Sequence, residues 1–115
     1  MGGQVLSWEA IEAEEVFPGI YRQTIVAESS TLVRYTYHPG CEFPEHSHQE
    51  EQVTVVHSGE IEFAVDGRPV VLSAGQVAII PGGVFHGAKV TAEEVVVTDN
   101  YIASANRSAL QFGDG

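Results

Sequence analysis

His46-Ser47-His48-Gln49-Glu50-Glu51-Gln52 sets two imidazoles one residue apart and an amide four residues beyond the second. Alternate residues of an extended strand share a face, so His46 and His48 are expected to project to one side, about 7 Å apart along the backbone. Two imidazoles on an inward face are costly to bury without a common partner. Gln52 follows the acidic corner Gln49-Glu50-Glu51 and opens the next strand, with Thr54 and Val56 on its parity. A third imidazole, His86, comes from the distant segment Pro81-Gly82-Gly83-Val84-Phe85-His86, whose proline and glycines bend the chain tightly. Imidazoles and an amide oxygen gathered on one sheet face are the donor set of a divalent transition metal. The spacing predicts a metal site of His46, His48, Gln52 and His86, with Zn, Ni, Mn and Fe as candidate ions.

Outward from that stretch, turn signals recur at Pro18-Gly19, Pro39-Gly40, Ser58-Gly59, Asp66-Gly67, Ala74-Gly75 and Pro81-Gly82-Gly83, with β-branched and aromatic runs between them. Short strands at this rhythm predict an all-β sandwich or barrel. From Glu60 to Val65 polar and apolar residues alternate, which turns Ile61, Phe63 and Val65 inward, and Asp66-Gly67 folds the run into a hairpin returning through Val70-Val71-Leu72. Leu32 to Tyr37, Val53 to Val56, Val77 to Ile80 and Val95 to Tyr101 supply further strands. A helical turn is expected only within Ser7 to Glu15, from the spacing of Trp8, Ile11 and Glu12. Alternation also predicts a mostly apolar pocket lined by Thr54, Val56, Phe63 and Ala88. His57 falls on the opposite parity to Gln52 and is expected outside, with His38 as another surface or hydrogen-bonded histidine. Cys41 is expected to pack as a small apolar residue.

The chain has 115 residues, one domain by length, and 43% hydrophobic residues, a globular composition. Its 16 acidic against 5 basic residues give a net charge of −11, which argues against nucleic acid and anionic membranes as partners. A single cysteine excludes an internal disulfide framework and fits a reducing compartment. The N-terminus lacks a basic and apolar leader and no stretch is long enough to span a bilayer, so a cytoplasmic location is expected.

Gly40, five residues, His46-Ser47-His48, three residues, Gln52, six residues and Gly59 resemble the first motif of the cupin superfamily. Gly75, five residues and Pro81 to His86 resemble its second, and the fifteen residues Glu60 to Ala74 resemble the compact hairpin between motifs in small bacterial members. The resemblance implies a single-domain double-stranded β-helix, the jelly-roll cupin barrel, over residues 1–115, with a barrel core from about Val16 to Tyr101 and short extensions. It also strengthens the expectation of a homodimer, for which Val16-Phe17 and Leu32 to Tyr37 offer docking strands. Two positions depart from the pattern. Gln52 stands where the first motif carries glutamate, and Val90 where an asparagine often follows the last histidine by four. A neutral amide leaves the ion's double charge uncompensated by the protein, which favours Lewis-acid chemistry and removes the carboxylate of the non-haem iron facial triad. A slip of one or two residues would put Glu51 or Glu50 in place of Gln52, and the spacing to Gly59 argues for Gln52.

Among glutamine-bearing cupins the chain is similar to the small proteins of pectin and uronate breakdown, which act on unsaturated sugar acids. The likeness rests on His46-Ser47-His48 with Gln52, the Pro81 to His86 segment, and an arginine in the C-terminal tail, here Arg107. The acidic residue expected before that arginine is replaced by Asn100 or Tyr101, with Asp99 nearby. The resemblance implies a small polar or carboxylate-bearing substrate and isomerase- or lyase-like chemistry, with Arg107 pairing the carboxylate and Asp99 or Tyr35 shuttling a proton. Whether the chain turns over substrate stays open: a non-catalytic small-ligand sensor and a metal-dependent dioxygenase are the rival readings.

Overall fold

The computed structural model describes residues 3–102, in which nearly all regular structure is strand. The ten strands are β1 (Glu14–Phe17), β2 (Ile20–Val26), β3 (Thr31–Tyr37), β4 (Glu42–His46), β5 (Gln52–Ser58), β6 (Glu60–Val65), β7 (Arg68–Ser73), β8 (Val77–Ile80), β9 (His86–Lys89) and β10 (Val95–Tyr101). They form two antiparallel sheets, one ordered β1-β2-β3-β10-β5-β8 and the other β4-β9-β6-β7, in the jelly-roll arrangement. The helical turn expected within Ser7 to Glu15 is only a 3-10 turn, Trp8–Ala10. No helix among the described residues is long and apolar enough to cross a membrane.

Alternation accounts for the strands' faces. β3 buries Val33, Tyr35 and Tyr37, β10 buries Val95, Val97, Asp99 and Tyr101, and β6 buries Ile61 and Phe63. These side chains meet between the sheets with Ile20, Val56, Leu72, Ile80 and Val90. The hairpin between β6 and β7 turns on Asp66 and Gly67, both at positive φ (52° and 77°), the signature of the tight primed turn expected there. At Gly59 the chain passes from the six-stranded to the four-stranded sheet. Its φ is +80°, and a Cβ there would stand 2.7 Å from the Glu94 carbonyl oxygen, so glycine is required on both counts.

β3, expected as a docking strand, is instead internal to the six-stranded sheet, between β2 and β10. Phe17 of β1 is turned into the molecule, with its ring 4.9 Å from that of Phe43. The edges of the larger sheet are β1 and β8.

Candidate metal centre

The site forms where β5 begins and β8 and β10 end. His46 reaches it through an irregularity in β4. Phe43 pairs with Ala88 and His46 with His86, three steps along β4 against two along β9. The extra residue reverses the parity of the strand, so Phe43 and His46 both point inward and their rings lie 5.0 Å apart. Gly87 makes the bulge possible, since a Cβ there would meet the Phe43 carbonyl oxygen at 2.9 Å and the Glu45 nitrogen at 3.1 Å.

β4 ends at His46, so His48 does not share a strand face with it as the spacing suggested; it lies in the following loop. That loop is clasped by the Pro81-Gly82-Gly83 turn. Gly83 N–H donates to the His48 carbonyl at 2.7 Å, and a Cβ on Gly82 would overlap the Gln49 carbonyl oxygen at 2.1 Å. The glycines therefore bring the His48 loop against the turn that leads into β9 and His86, beyond merely bending the chain.

The three imidazoles converge, with candidate donor atoms all within 4.8 Å of one another. Their Nδ1 atoms lie 3.0, 2.9 and 2.8 Å from the carbonyl oxygens of Pro44, Glu50 and Val84. A carbonyl only accepts, so each Nδ1 carries the proton and each Nε2 presents a bare lone pair. Gln52 is oriented by the opposite logic. Its Nε2 donates to Thr54 Oγ1 at 2.8 Å, and the Thr54 hydroxyl donates to Asp99 Oδ1 at 2.6 Å. The amide oxygen is thereby aimed at the imidazoles, 3.2 Å from His48 Nε2 and 3.1 Å from His86 Nε2. Three lone-pair atoms thus face one another with no hydrogen between them, an arrangement that repels unless a cation lies among them. The donor set fits a divalent transition metal.

Burial keeps these donors neutral. It lowers the pKa of His46 and His48 and, with the neighbouring imidazoles, takes His86 down to about 4. Burial also pushes Asp99 up to about 7, against the hydrogen bonds from Thr54 and Tyr101 that pull it down. Tyr35, Tyr37 and Tyr101 are raised well above the ordinary phenol value by burial and stay protonated. The Tyr101 hydroxyl stands 3.1 Å from Gln52 Oε1 and 3.3 Å from Asp99 Oδ2, linking the amide to the carboxyl.

Neither glutamate of the corner takes Gln52's place. Glu51 is exposed. Glu50 is buried with its carboxylate 3.9 Å from His48 Nδ1, on the side of the ring away from the convergence. Asp99 and Tyr35 both line the adjoining cavity, and Arg107 lies outside the described residues. The expected apolar lining is corrected. Phe63 and Ala88 line the cavity, whereas Thr54 orients Gln52 and Val56 packs in the core; Tyr35, Tyr37, Phe43, Asp99 and Tyr101 make the wall aromatic and polar. Tyr101 was the residue overlooked, and its parity with Asp99 on β10 was the available signal. His57 is exposed, its Nε2 bonded to Thr98, and His38 is exposed beside Tyr21.

The cupin domain model matches residues 33–99. Among solved structures, KdgF from Halomonas sp. superposes with a TM-score of 0.82 at 23% identity, covering 95% of this chain and 99% of that one. An RmlC-like cupin from Shewanella frigidimarina gives 0.80 at 29% identity over 95% and 96% of the two chains. The polyketide cyclase RemF from Streptomyces resistomycificus gives 0.76 at 19% identity over 87% and 79%. The likenesses to KdgF and RemF are likenesses of fold. No curated protein matches the chain.

Proposed function

The chain belongs to the cupin domain family, and from that membership we propose that His46, His48, His86 and Gln52 hold a divalent transition metal that acts on a small oxygenated metabolite. The observation that carries the reading is the Nε2 and Oε1 lone pairs turned on one another, each fixed by a hydrogen bond on its far side. Bound there, the ion would supply Lewis acidity to a carbonyl or carboxylate oxygen, its charge not neutralised by any ligand.

The remaining chemistry belongs to the chain. The cavity beside the donors is narrow, about 20 Å³, so a ligand would meet the donors chiefly from its open mouth. No Lys or Arg stands among its described lining residues, so a substrate carboxylate would find its counter-charge in the ion itself, or in Arg107. Asp99, with a carboxyl titrating at about 7, is suited to accept a proton from a carbon beside a polarised carbonyl and return it to a neighbouring atom. Tyr101 and Thr54 hold that carboxyl in place through its two oxygens. This favours isomerase-like proton transfer on sugar acids or related keto acids, in a protein expected to work as a homodimer.

Elemental analysis of protein purified without added metal or chelator, beside His46→Ala and His86→Ala, tests the site; metal in the parent and none in the variants is the expected result. A panel of unsaturated uronates and keto acids, run with an oxygen electrode, tests the reaction. Turnover without oxygen uptake supports the proposal, oxygen consumption replaces it with dioxygenase chemistry, and saturable binding without turnover makes the chain a sensor.

A further inference from the structure

We propose that Arg22, acting through Tyr35, is a positioning residue for Asp99: it fixes the Tyr35 phenol as a hydrogen-bond donor toward the cavity in which the Asp99 carboxyl stands. The proposal rests on the reading above for what the Asp99 proton is used for. The registers of the six-stranded sheet bring these residues together. Glu14 lies opposite Arg22, Arg22 opposite Tyr35 and Tyr35 opposite Val97, one inward-facing row from β1 to β10. The next row runs Thr24, Val33, Asp99, Thr54. Asp99 therefore stands diagonally across from Tyr35, within reach of an aromatic side chain. Tyr35 and Asp99 are both buried and line the same cavity.

An arginine on an inward face is costly unless its charge is used there. Ile20, two residues earlier on the same face, is fully buried, whereas Arg34 and Lys89 lie on outer faces and Arg68 is exposed. Glu14 holds one side of the guanidinium: Arg22 Nε and Nη2 donate to Glu14 Oε1 at 3.1 and 2.8 Å, at the exposed edge of the sheet. An edge ion pair has no need of a buried nitrogen, yet Nη1 is buried. A guanidinium only donates, so against a phenol it engages the oxygen's lone pairs and turns the phenol's one hydrogen away from β2. Burial and the Asp99 charge raise the Tyr35 pKa while the charge and hydrogen bonding of Arg22 lower it, which sets the hydroxyl between the two. The cavity that Tyr35 and Asp99 share is about 20 Å³, a volume that one water fills, so the hydrogen reaches the carboxyl directly or through one water. The other groups facing Asp99 are Thr54 on β5, Tyr101 on β10 and Tyr37 on β3, with the neutral imidazoles of His46 and His86 lining the cavity from β4 and β9. Among the described residues Arg22 is the one positive charge turned toward this carboxyl. Thr54 and Tyr101 engage one carboxyl oxygen each, and a carboxylate has lone pairs for a third donor.

Infrared difference spectra of the chelator-treated full chain, each background minus its own Asp99→Asn counterpart, isolate the carbonyl band of the protonated Asp99 and its pH midpoint. Loss of a donor leaves the carboxylate less stabilised, so the proton is held to higher pH. Arg22→Met and Tyr35→Phe should each move the band to higher frequency and weaken the acid dissociation about tenfold. The double variant should go no further than either single one, because Arg22 acts through the phenol. Arg22→Lys, which keeps a donating cation, should fall between the parent and Arg22→Met. An unchanged band and midpoint in Arg22→Met, shifts that add in the double variant, or Arg22→Lys behaving as Arg22→Met would each overturn the proposal. Should circular dichroism show Arg22→Met unfolded, Tyr35→Phe decides alone, and an unchanged band there overturns it. These spectra need neither metal nor substrate, so a parent that carries no metal, or turns over nothing in the panel, sinks the reading above without moving them.

Discussion

Gln52 is held from behind by a relay of donors, Gln52 Nε2 to Thr54 Oγ1 to Asp99 Oδ1, and that relay leaves its oxygen no choice of direction. Thr54→Val removes the hydroxyl while keeping the shape. The amide is then free to rotate, and metal affinity measured by competition with a chelating indicator should fall about ten- to a hundredfold. Unchanged affinity would mean that Gln52 is not fixed this way. Asp99 gives a pH signature in the metal-free protein. Its folded value of about 7 lies above its unfolded 3.8, so the folded form holds an extra proton between those values. Stability from this group is complete below about pH 4 and is lost as pH rises to about 7. Asp99→Asn, neutral throughout, should therefore gain in Tm over the parent as pH rises across that window, and parallel curves would contradict the assignment. The donors were legible in the sequence because imidazoles at this spacing are chemically conspicuous. The relay was not, because Thr54 and Asp99 stand opposite each other only once the register of β5 and β10 is known.

The bulge in β4 is the element on which the site's geometry turns. The alternation of polar and buried apolar residues in β6, and the β-branched runs that open β8 and β10, made these strands readable to their ends. It failed at β4, where Pro44 interrupts the ladder and an added residue reverses parity between Phe43 and His46. β2 was also missed, because its inward face carries Arg22 and Thr24 in place of an apolar run. The bulge depends on the close approach of β4 to β9 at Gly87. Gly87→Ala should cost about 1–3 kcal/mol in denaturant unfolding and displace His46, so that the purified variant carries less metal. Gly75→Ala is the comparison. Its φ of +91° makes alanine strained there too, but a Cβ would meet nothing within 4 Å, so metal content should stay at the parent's level. Equal metal in both variants would separate the bulge from the site.

At the scale of the whole molecule, the metal would join segments that share little else. His46 ends one sheet's edge strand, Gln52 opens a strand of the other, His48 lies in the loop after β4, and His86 opens β9 just beyond the Gly82-Gly83 turn that clasps that loop. Without an ion the lone pairs that face one another at 3.1 and 3.2 Å repel, so the loops should part at that end while the opposite end, around Ile61, Leu72 and Val95, stays packed. Free metal at a hundredfold over its dissociation constant would stabilise the fold by about 2.7 kcal/mol. For a chain of this size that corresponds to a Tm roughly 10 °C higher than in chelator. Acid should have the same effect as chelator, because ligation needs neutral imidazoles. With burial holding the folded histidines below their ordinary value, and His86 at about 4, the stability they contribute is complete above the unfolded value of 6.5 and lost as pH falls toward 4. Hydrogen exchange should locate the change: on metal removal, protection falls around residues 46–52 and 81–86 and holds in β6 and β7. A uniform loss of protection, or a Tm that chelator leaves in place after the metal is gone, would show that the two sheets hold this end closed by packing alone.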